Sequence, residues 1–442
     1  MVSGALLDTP HTNAVTPLNI LFVTEHIPYP DVPHAGGQDY WHLIDALRAR
    51  HRVYVATFDD PAAPIPTEKL APYVEKLHIV RDPLPPALKT RLKARLSAST
   101  SSPSDAAMPA PRSLLSSTAR IIRQTQRAWM ATQMERVVRA WCDRYQIDVL
   151  HCAWTAMGRY LTASPHALFR VLDEVDVRFL VEADETTRGL RDPADAARRK
   201  ADELASCAAA DLVIARSKYD LDVLQAHVPT LQGFVLHSVG DVRRLLDVTP
   251  DEATPNRILF CGAFDRDANI DAAQWFARAI FPLIRANVPA AELWLVGARQ
   301  DARVRELAAL AGVTVTGYVP DLRPYHAAAR VVIAPTRVPA GNLIKIMDGL
   351  AAGRPVVATT IANRGIAAPS VRTADTPDAF ATHIVTLLRD DTAWRADCAI
   401  NRAYARSHFD WDANVARLET LYMDGVQRIR TEGRNVPRPS ES

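Results

Sequence analysis

Short apolar runs of strand length alternate with helical stretches twice along this chain, and that alternation leaves few folds open to it. The first series holds Leu18–Thr24 (LNILFVT), Arg52–Thr57, Lys76–Val80, Ile147–Cys152, Ala167–Leu172, Leu212–Ala215 and Phe234–Leu236. After its first run, a Pro-rich loop leads into a helix with Trp41, Ile44 and Leu47 at helical spacing. Apolar runs separated by such helices read as βαβ units on a parallel sheet. The polar stretch DVTPDEATPN then suits an interdomain linker, and a second series follows. It comprises Arg257–Gly262, Leu293–Gly297, Val313–Gly317, Val331–Pro335 and Pro355–Thr359. The helix after Arg257–Gly262 carries Ile270, Ala273, Ala277, Ile280 and Ile284 on one face, and another is predicted over Asp301–Ala311. After Pro377 the pattern is helical almost to the end, with a break near His408–Asp412. Two Rossmann-like, doubly wound α/β domains in tandem place a cleft between the C-terminal ends of their strands, where ligands of such sheets bind.

Composition removes several function classes. Apolar residues make up 48% and charged residues 23% of 442, which excludes a largely disordered chain. Formal charge is +2, from 52 basic and 50 acidic residues, so no global polycation points to nucleic acid. Cys142, Cys152, Cys207, Cys261 and Cys398 lie far apart, with no metal-ligand spacing, and predict free thiols in a reducing cytosol. Met1–Pro17 has no basic region leading into an apolar one, so no signal peptide is expected, nor a membrane span anywhere. From Leu96 to Arg112 the sequence is rich in Ser, Ala and Pro and reads as a mobile insertion over 96–112. Around it, residues 88–139 hold ten Lys/Arg against two acids. That run is either a solvated helical face or a docking surface for an anionic membrane, helped by Trp129.

The nucleotide fingerprints that would settle the chemistry are missing. No GxGxxG follows the first strand and no GxxxxGK[ST] occurs, so dinucleotide and P-loop readings lose their main support. In their place Gly36 and Gly37 open a helix, where backbone amides and the dipole would meet a phosphate. The most informative segment is Val331–Thr359, VVIAPTRVPAGNLIKIMDGLAAGRPVVAT. Its Ala340–Gly341–Asn342 exposes amides at a helix start, followed by Lys345 and, one turn on, Asp348. Only seven of the 52 basic residues are lysines, and Lys345 is the only one after Lys218. A compact ammonium there can neutralise a departing pyrophosphate, while Asp348 can accept from ribose hydroxyls. A surface ion pair between the two reads the same residues equally well.

Gly36-Gly37, ILFCGAFDRDANIDAAQWF, VTGYVPDLRPYHAAARVVIAP and AGNLIKIMDGLAAGRPVVAT together resemble glycosyltransferase family 4, of GT-B fold, closest to a bacterial branch of surface-polysaccharide sugar transferases. The resemblance is tight over Arg257–Thr359 and loose before it. It implies an N-terminal acceptor-side domain over 1–240, a nucleotide-sugar domain over 241–410, and a helix within 411–442 that crosses back onto the first. It also implies a cytoplasmic, metal-independent retaining hexosyltransferase, with peripheral contact at the inner membrane face as a variant of that location, needing no cofactor besides its nucleotide-sugar. The acceptor would be a glycan, a lipid-linked sugar or another hydroxyl compound.

Carried onto this chain, the resemblance puts the base at Tyr318–Val319 and the ribose at Asp348. Lys345 and Arg266 would face the diphosphate, while Gly262, Asn269, Gly341, Asn342 and Leu343 would line the donor. His151 would lie near the transferred sugar. The first Glu of the family's E-x7-E motif is Ala340 here, the second is the shorter Asp348, and the usual interdomain turn reads LHSVGD. These departures motivate an alternative: a GT-B-shaped partner that binds nucleotide or glycan machinery without transfer. A nucleotide-sugar epimerase is a weaker third, because its cluster of catalytic carboxylates and His is not apparent. Asp265-Arg266-Asp267 has a D-x-D form that can hold a divalent ion, but it is too short to argue for one.

Overall fold

The computed structural model describes residues 16–30, 32, 35–59, 67–81, 112–163, 167–187, 189, 191–238, 242–249, 253–338 and 344–432. Two all-parallel sheets form its frame. The first has seven strands in the order β3-β2-β1-β4-β5-β6-β7: β1 Asn19–Thr24, β2 Arg52–Phe58, β3 Lys76–Val80, β4 Val149–Ala153, β5 Phe169–Glu174, β6 Leu212–Ala215 and β7 Gly233–Val235. The second has six in the order β10-β9-β8-β11-β12-β13: β8 Arg257–Cys261, β9 Glu292–Val296, β10 Val313–Val315, β11 Val331–Ala334, β12 Val356–Ala358 and β13 Arg372–Thr373. In each sheet the winding reverses beside its first strand, between β1 and β4 and between β8 and β11. These are the topological switch points at which ligands of doubly wound sheets bind.

All twelve strands expected from the sequence are present, and each sheet is buried on both faces, which is why its strands read as continuous apolar runs. The two-residue β13 gave no such run. The helix expected over Asp301–Ala311 is instead an α-turn, Ala302–Arg305, continued as a 3-10 turn, Glu306–Ala309. Only Val304 and Leu307 of those eight residues are buried, too few to hold a longer helix. The insertion expected over 96–112 lies almost wholly outside the described residues.

The helices that position the cleft are α1 Ala35–Leu47, α2 Arg112–Arg144, α3 Arg178–Thr187, α4 Pro193–Ala209, α5 Lys218–His227, α6 Asp267–Trp275, α7 Ile344–Ala351 and α8 Trp411–Glu432. Local chemistry starts several of them. Asp192 caps α4 by accepting from the amides of Ala194 and Asp195, and the Ser217 hydroxyl caps α5 at Asp220 N. The helices Pro377–Arg389 and Asp391–His408 stay with the second sheet, through Phe380, Ile384 and Ala405 among others.

The last helix, α8, crosses to the first sheet. Trp411, Val415, Leu418, Tyr422, Val426 and Ile429 recur at helical spacing and pack against β1, β4 and β5. Each such side chain, once buried, contributes roughly 1.5–3 kcal/mol. Gly425 permits the approach, since a Cβ there would sit 2.3 Å from the Phe169 ring. Polar contacts fix the register: Glu419 takes the Arg50 guanidinium and lies 2.9 Å from His51 Nε2, while Arg430 bonds Asp148 at 2.5 Å.

Candidate active site between the two sheets

The C-terminal ends of β8 and β11 carry the residues in which the sequence concentrates. Lys345, on the first turn of α7, sends its ammonium to Asn269 Oδ1 at 2.8 Å and lies 5.0 Å from the Phe260 ring centroid. Asn269 in turn donates to the Ala263 carbonyl at 2.9 Å, so the amide is fixed and its oxygen aims at the lysine. Burial pushes the Lys345 pKa down to about 8, opposed by Cys261 and reinforced by the charge of Arg266. An ammonium that is half-buried, bonded to a neutral amide and close to a second cation is a site that gains from an incoming anion. Arg266 immediately precedes α6 and is exposed.

Backbone geometry keeps this end of the sheet open. Gly262 follows β8 and its amide bonds the Val296 carbonyl at 3.0 Å; a Cβ on it would sit 3.2 Å from Asn269. Gly297, after β9, has φ +152°, and a Cβ there would collide with the Gly262 carbonyl at 1.8 Å. The two strand ends can meet only with glycine at that position. Gly317 has φ +88° and open space around it; after it Tyr318 projects outward, 76% exposed, while Val319 turns onto the apolar cluster beneath β8 and β11. Asp348 is buried at 4% exposure on α7, and its charge is felt at Cys261, whose thiol pKa is raised chiefly by burial. Gly341, Asn342 and Leu343 lie outside the described residues, as does Ala340. Asp265 pairs with Arg299 at 2.7 Å and Asp267 with Arg303 at 3.2 Å. Among the described residues no group of three His, Cys, Asp or Glu side chains could hold a metal ion.

The facing end of the first sheet is built of buried charge. Arg216, 1% exposed, bonds Asp173 at 2.9 Å and the Leu236 carbonyl at 3.0 Å, and lies 3.8 Å from Asp39. Burial works against its charge, but Asp173 and Asp39 more than restore it, so its pKa ends above the usual arginine value. His237 bonds the Arg216 carbonyl at 3.1 Å, and burial lowers its pKa to about 4, so the ring is neutral. Arg216 thus ties the sheet end to the strand that leaves the domain. His151 belongs to the same network. It is fully enclosed, stacked on Phe22, 2.6 Å from the Tyr422 hydroxyl of α8 and 3.6 Å from Asp173. Burial lowers its pKa. The structure therefore sets His151 under the sheet end, away from open space.

Gly36 and Gly37 fall in the first turn of α1, where a Cβ on Gly36 would stand 2.6 Å from the Trp154 ring. Trp154 itself follows β4 with φ +77° and ψ 146°, an outlier for a bulky residue that costs of order 1–3 kcal/mol. His26 and Tyr40 hold its ring edge-on at 5.3 and 5.7 Å between centroids. Beside it, Thr155 donates to Glu174 at 2.6 Å, and the Glu174 and Glu203 carboxyls bond each other. Glu203 also accepts the Arg178 and Phe179 amides at 2.8 and 3.0 Å. Burial raises the pKa of both acids, and of Asp176, whose charge is favoured by Arg178, Arg216 and, from across the cleft, Arg266. The two sheet ends therefore face each other at Asp176 and Arg266. Trp154 and Glu203 carry no local sequence signal of a site, and Arg216 carries a weak one. Arg216, a charge directly after the apolar run Leu212–Ala215, was the most findable of the three.

Residues 255–390 match the family described as Glycosyl transferases group 1. No curated protein sequence matches the chain. Among solved structures it is similar to sucrose-phosphate synthase from Thermosynechococcus elongatus, with 18% identity and TM-score 0.62, covering 92% of this chain and 98% of that one. It is also similar to Anabaena Alr3699/HepE in complex with UDP and glucose, at 15% identity and TM-score 0.59, covering 91% and 99%. A glycosyltransferase from Rickettsia africae aligns at 12% identity and TM-score 0.57, over 93% and 100%. The second sheet and its helices thus carry the sequence pattern of the group 1 glycosyltransferases, on a chain whose two-domain architecture is the GT-B fold.

Proposed function

We propose that the protein is a retaining glycosyltransferase that moves a hexosyl group from a nucleotide-sugar to a hydroxyl acceptor. The observation that carries this reading is Lys345: an ammonium held by Asn269 at the switch point of the second sheet, its pKa lowered by burial and by Arg266. A nucleoside diphosphate leaving group supplies the negative charge this site lacks. As the bond between the anomeric carbon and the diphosphate oxygen breaks, charge grows on that oxygen, and Lys345 with Arg266 stabilises it. The acceptor oxygen bonds to the anomeric carbon from the same face, and its proton passes to the departing diphosphate. Tyr318–Val319 would hold the base, Asp348 the ribose, and Gly36 and Gly37 the approach of the donor phosphate to α1.

Incubation with nucleotide-sugars, followed by NMR of released or transferred sugar, tests this. An axial-to-axial or equatorial-to-equatorial outcome at the anomeric carbon supports retention, and an inverted product overturns it. A non-catalytic GT-B partner is the second reading, favoured by the burial of the shortened acid Asp348. It predicts nucleotide binding without turnover for any donor.

The acceptor side is proposed to work at a membrane surface, with a glycan or lipid-linked sugar as acceptor. Support comes from the outer face of α2, where Arg136 and Arg139 are exposed and Trp129 is 43% exposed. No described helix is long and apolar enough to cross a membrane. Co-sedimentation with anionic vesicles, weakened by salt and by Trp129→Ala, is the expected behaviour.

A further inference from the structure

The chain passes between the domains twice, once after β7 and once at Phe409, and contacts gather at both passages. The His237 ring meets that of Phe409 edge-on at 5.1 Å between centroids, and Arg243 pairs with Asp412 at 2.5 Å. Those contacts lie on the hinge and move little when the domains rotate about it. A further contact joins segments that belong to neither passage. Arg364, in the turn after β12, sets its guanidinium 4.1 Å from the ring centroid of Tyr219, on the first turn of α5. We propose that Arg364 on Tyr219 is a latch between the domains, a positioning contact that sets the width of the cleft and parts when it opens.

Both ends of this contact are built to hold a distance. The buried Thr359 hydroxyl caps the short helix Thr360–Asn363 at Ala362 N, 3.2 Å away, and Thr360 is bonded twice to Asp375. Beyond Arg364 the turn is closed by Asn363, which donates to the Ala368 carbonyl at 3.2 Å, and by Tyr404, which donates to the Ile366 carbonyl at 3.2 Å. On the other domain, Ser217 and Asp220 cap each other at 2.7 and 3.0 Å and fix the turn that carries Tyr219. Between two rigid ends, a guanidinium on a ring face is a suitable joint. It attracts without a fixed direction, so it slides as the angle between the domains changes. Arg364 and Tyr219 are half-buried, which keeps the attraction modest, as a contact that must part requires. The joint also bears on the cleft. β12 neighbours β11, the switch strand before α7 and Lys345, while β6 neighbours β5, which leads to Asp176. Cleft width therefore sets how far Lys345 and Arg266 stand from Asp176.

Pulsed electron–electron resonance of the full chain, spin-labelled at Arg136→Cys in the first domain and Arg278→Cys in the second, tests this. Both positions are exposed and the five native cysteines are buried, so labelling is selective. The labelled parent is compared with Arg364→Ala, Tyr219→Leu and Tyr219→Phe, all without ligand. The parent and Tyr219→Phe, which keeps the ring, are expected to share one dominant distance. Arg364→Ala and Tyr219→Leu raise the share of other distances about two- to fivefold, the effect of losing one partly exposed cation–ring contact. The melting temperatures stay close to that of the parent, which separates a latch from a merely structural contact. A distance distribution unchanged in Arg364→Ala overturns the proposal, whatever Tyr219→Leu does to the fold. So does a spread in Tyr219→Phe as large as in Tyr219→Leu, because the ring face would then not be the joint. No nucleotide or sugar enters the measurement, so its failure leaves the transferase reading standing, and failure of that reading leaves the latch standing.

Discussion

The two sheet ends that face each other across the cleft are made in opposite ways. On the second, a few polar groups stand on an apolar base: Lys345, Asn269, Arg266 and glycines that let backbones touch. On the first, charge is buried in continuous networks that join Asp39, Arg216, Asp173, His151 and Tyr422, and separately Thr155, Glu174 and Glu203. A cation with no carboxylate partner among the described residues is poised for a ligand that brings its own charge. Buried networks of side chains bonded to one another fix shape instead. The donor side is thus built to respond to a phosphate, and the other side to hold a pocket still.

The largest effect should come from breaking the network. Arg216→Ala leaves Asp173 buried beside an empty site and is expected to destabilise the first domain by about 3–5 kcal/mol, read as a lowered denaturation midpoint. A stability within experimental error of wild type would show that the network contributes little. On the other side, Lys345→Ala should leave the fold nearly unchanged and reduce transfer by about 10²–10³-fold, the scale of losing one donor to a developing oxyanion. The two variants together sharpen the contrast: one acts on stability, the other on turnover.

The third test is pH. With its pKa near 8, Lys345 is charged below that pH, and a diphosphate binds it without proton transfer. Above it, binding must first bring a proton to the lysine, so affinity falls as pH rises, by up to tenfold per unit. Lys345→Arg, charged throughout, should flatten that slope. The smallest effect belongs to the returning helix. Gly425→Ala drives a methyl into the Phe169 ring and is expected to cost about 1–3 kcal/mol by overpacking, without altering the nucleotide response.

This difference between the sheets also explains what the sequence reveals. The second sheet's site lies in short contiguous segments, RILFCGAFDRDAN and AGNLIKIMD, so the helix start and the scarcity of lysine bring Lys345 into view, and the family resemblance adds Asn269. The strands themselves were legible because both faces of each sheet are buried. The first sheet's site is assembled from Glu25, Trp154, Asp176 and Glu203, separated by an insertion and by several crossovers. Nothing local marks Trp154 as strained or Glu203 as bonded to another acid, since both properties arise only when β1, β4 and α4 meet. His151 shows the limit from the other direction. A histidine near the end of a strand is visible in the sequence, but its enclosure depends on Tyr422, 271 residues away.

The account rests on a nucleoside diphosphate binding at Lys345. Thermal unfolding of wild type and Lys345→Ala with UDP, GDP, ADP, CMP and dTDP in excess tests it most directly. At about 100 times its dissociation constant a nucleotide stabilises by roughly 2.7 kcal/mol. For a domain of this size that is a shift of several degrees. The account predicts such a shift in wild type with at least one of the diphosphates, and its loss or marked reduction in Lys345→Ala. No shift with any diphosphate, or an equal shift in both proteins, would contradict it.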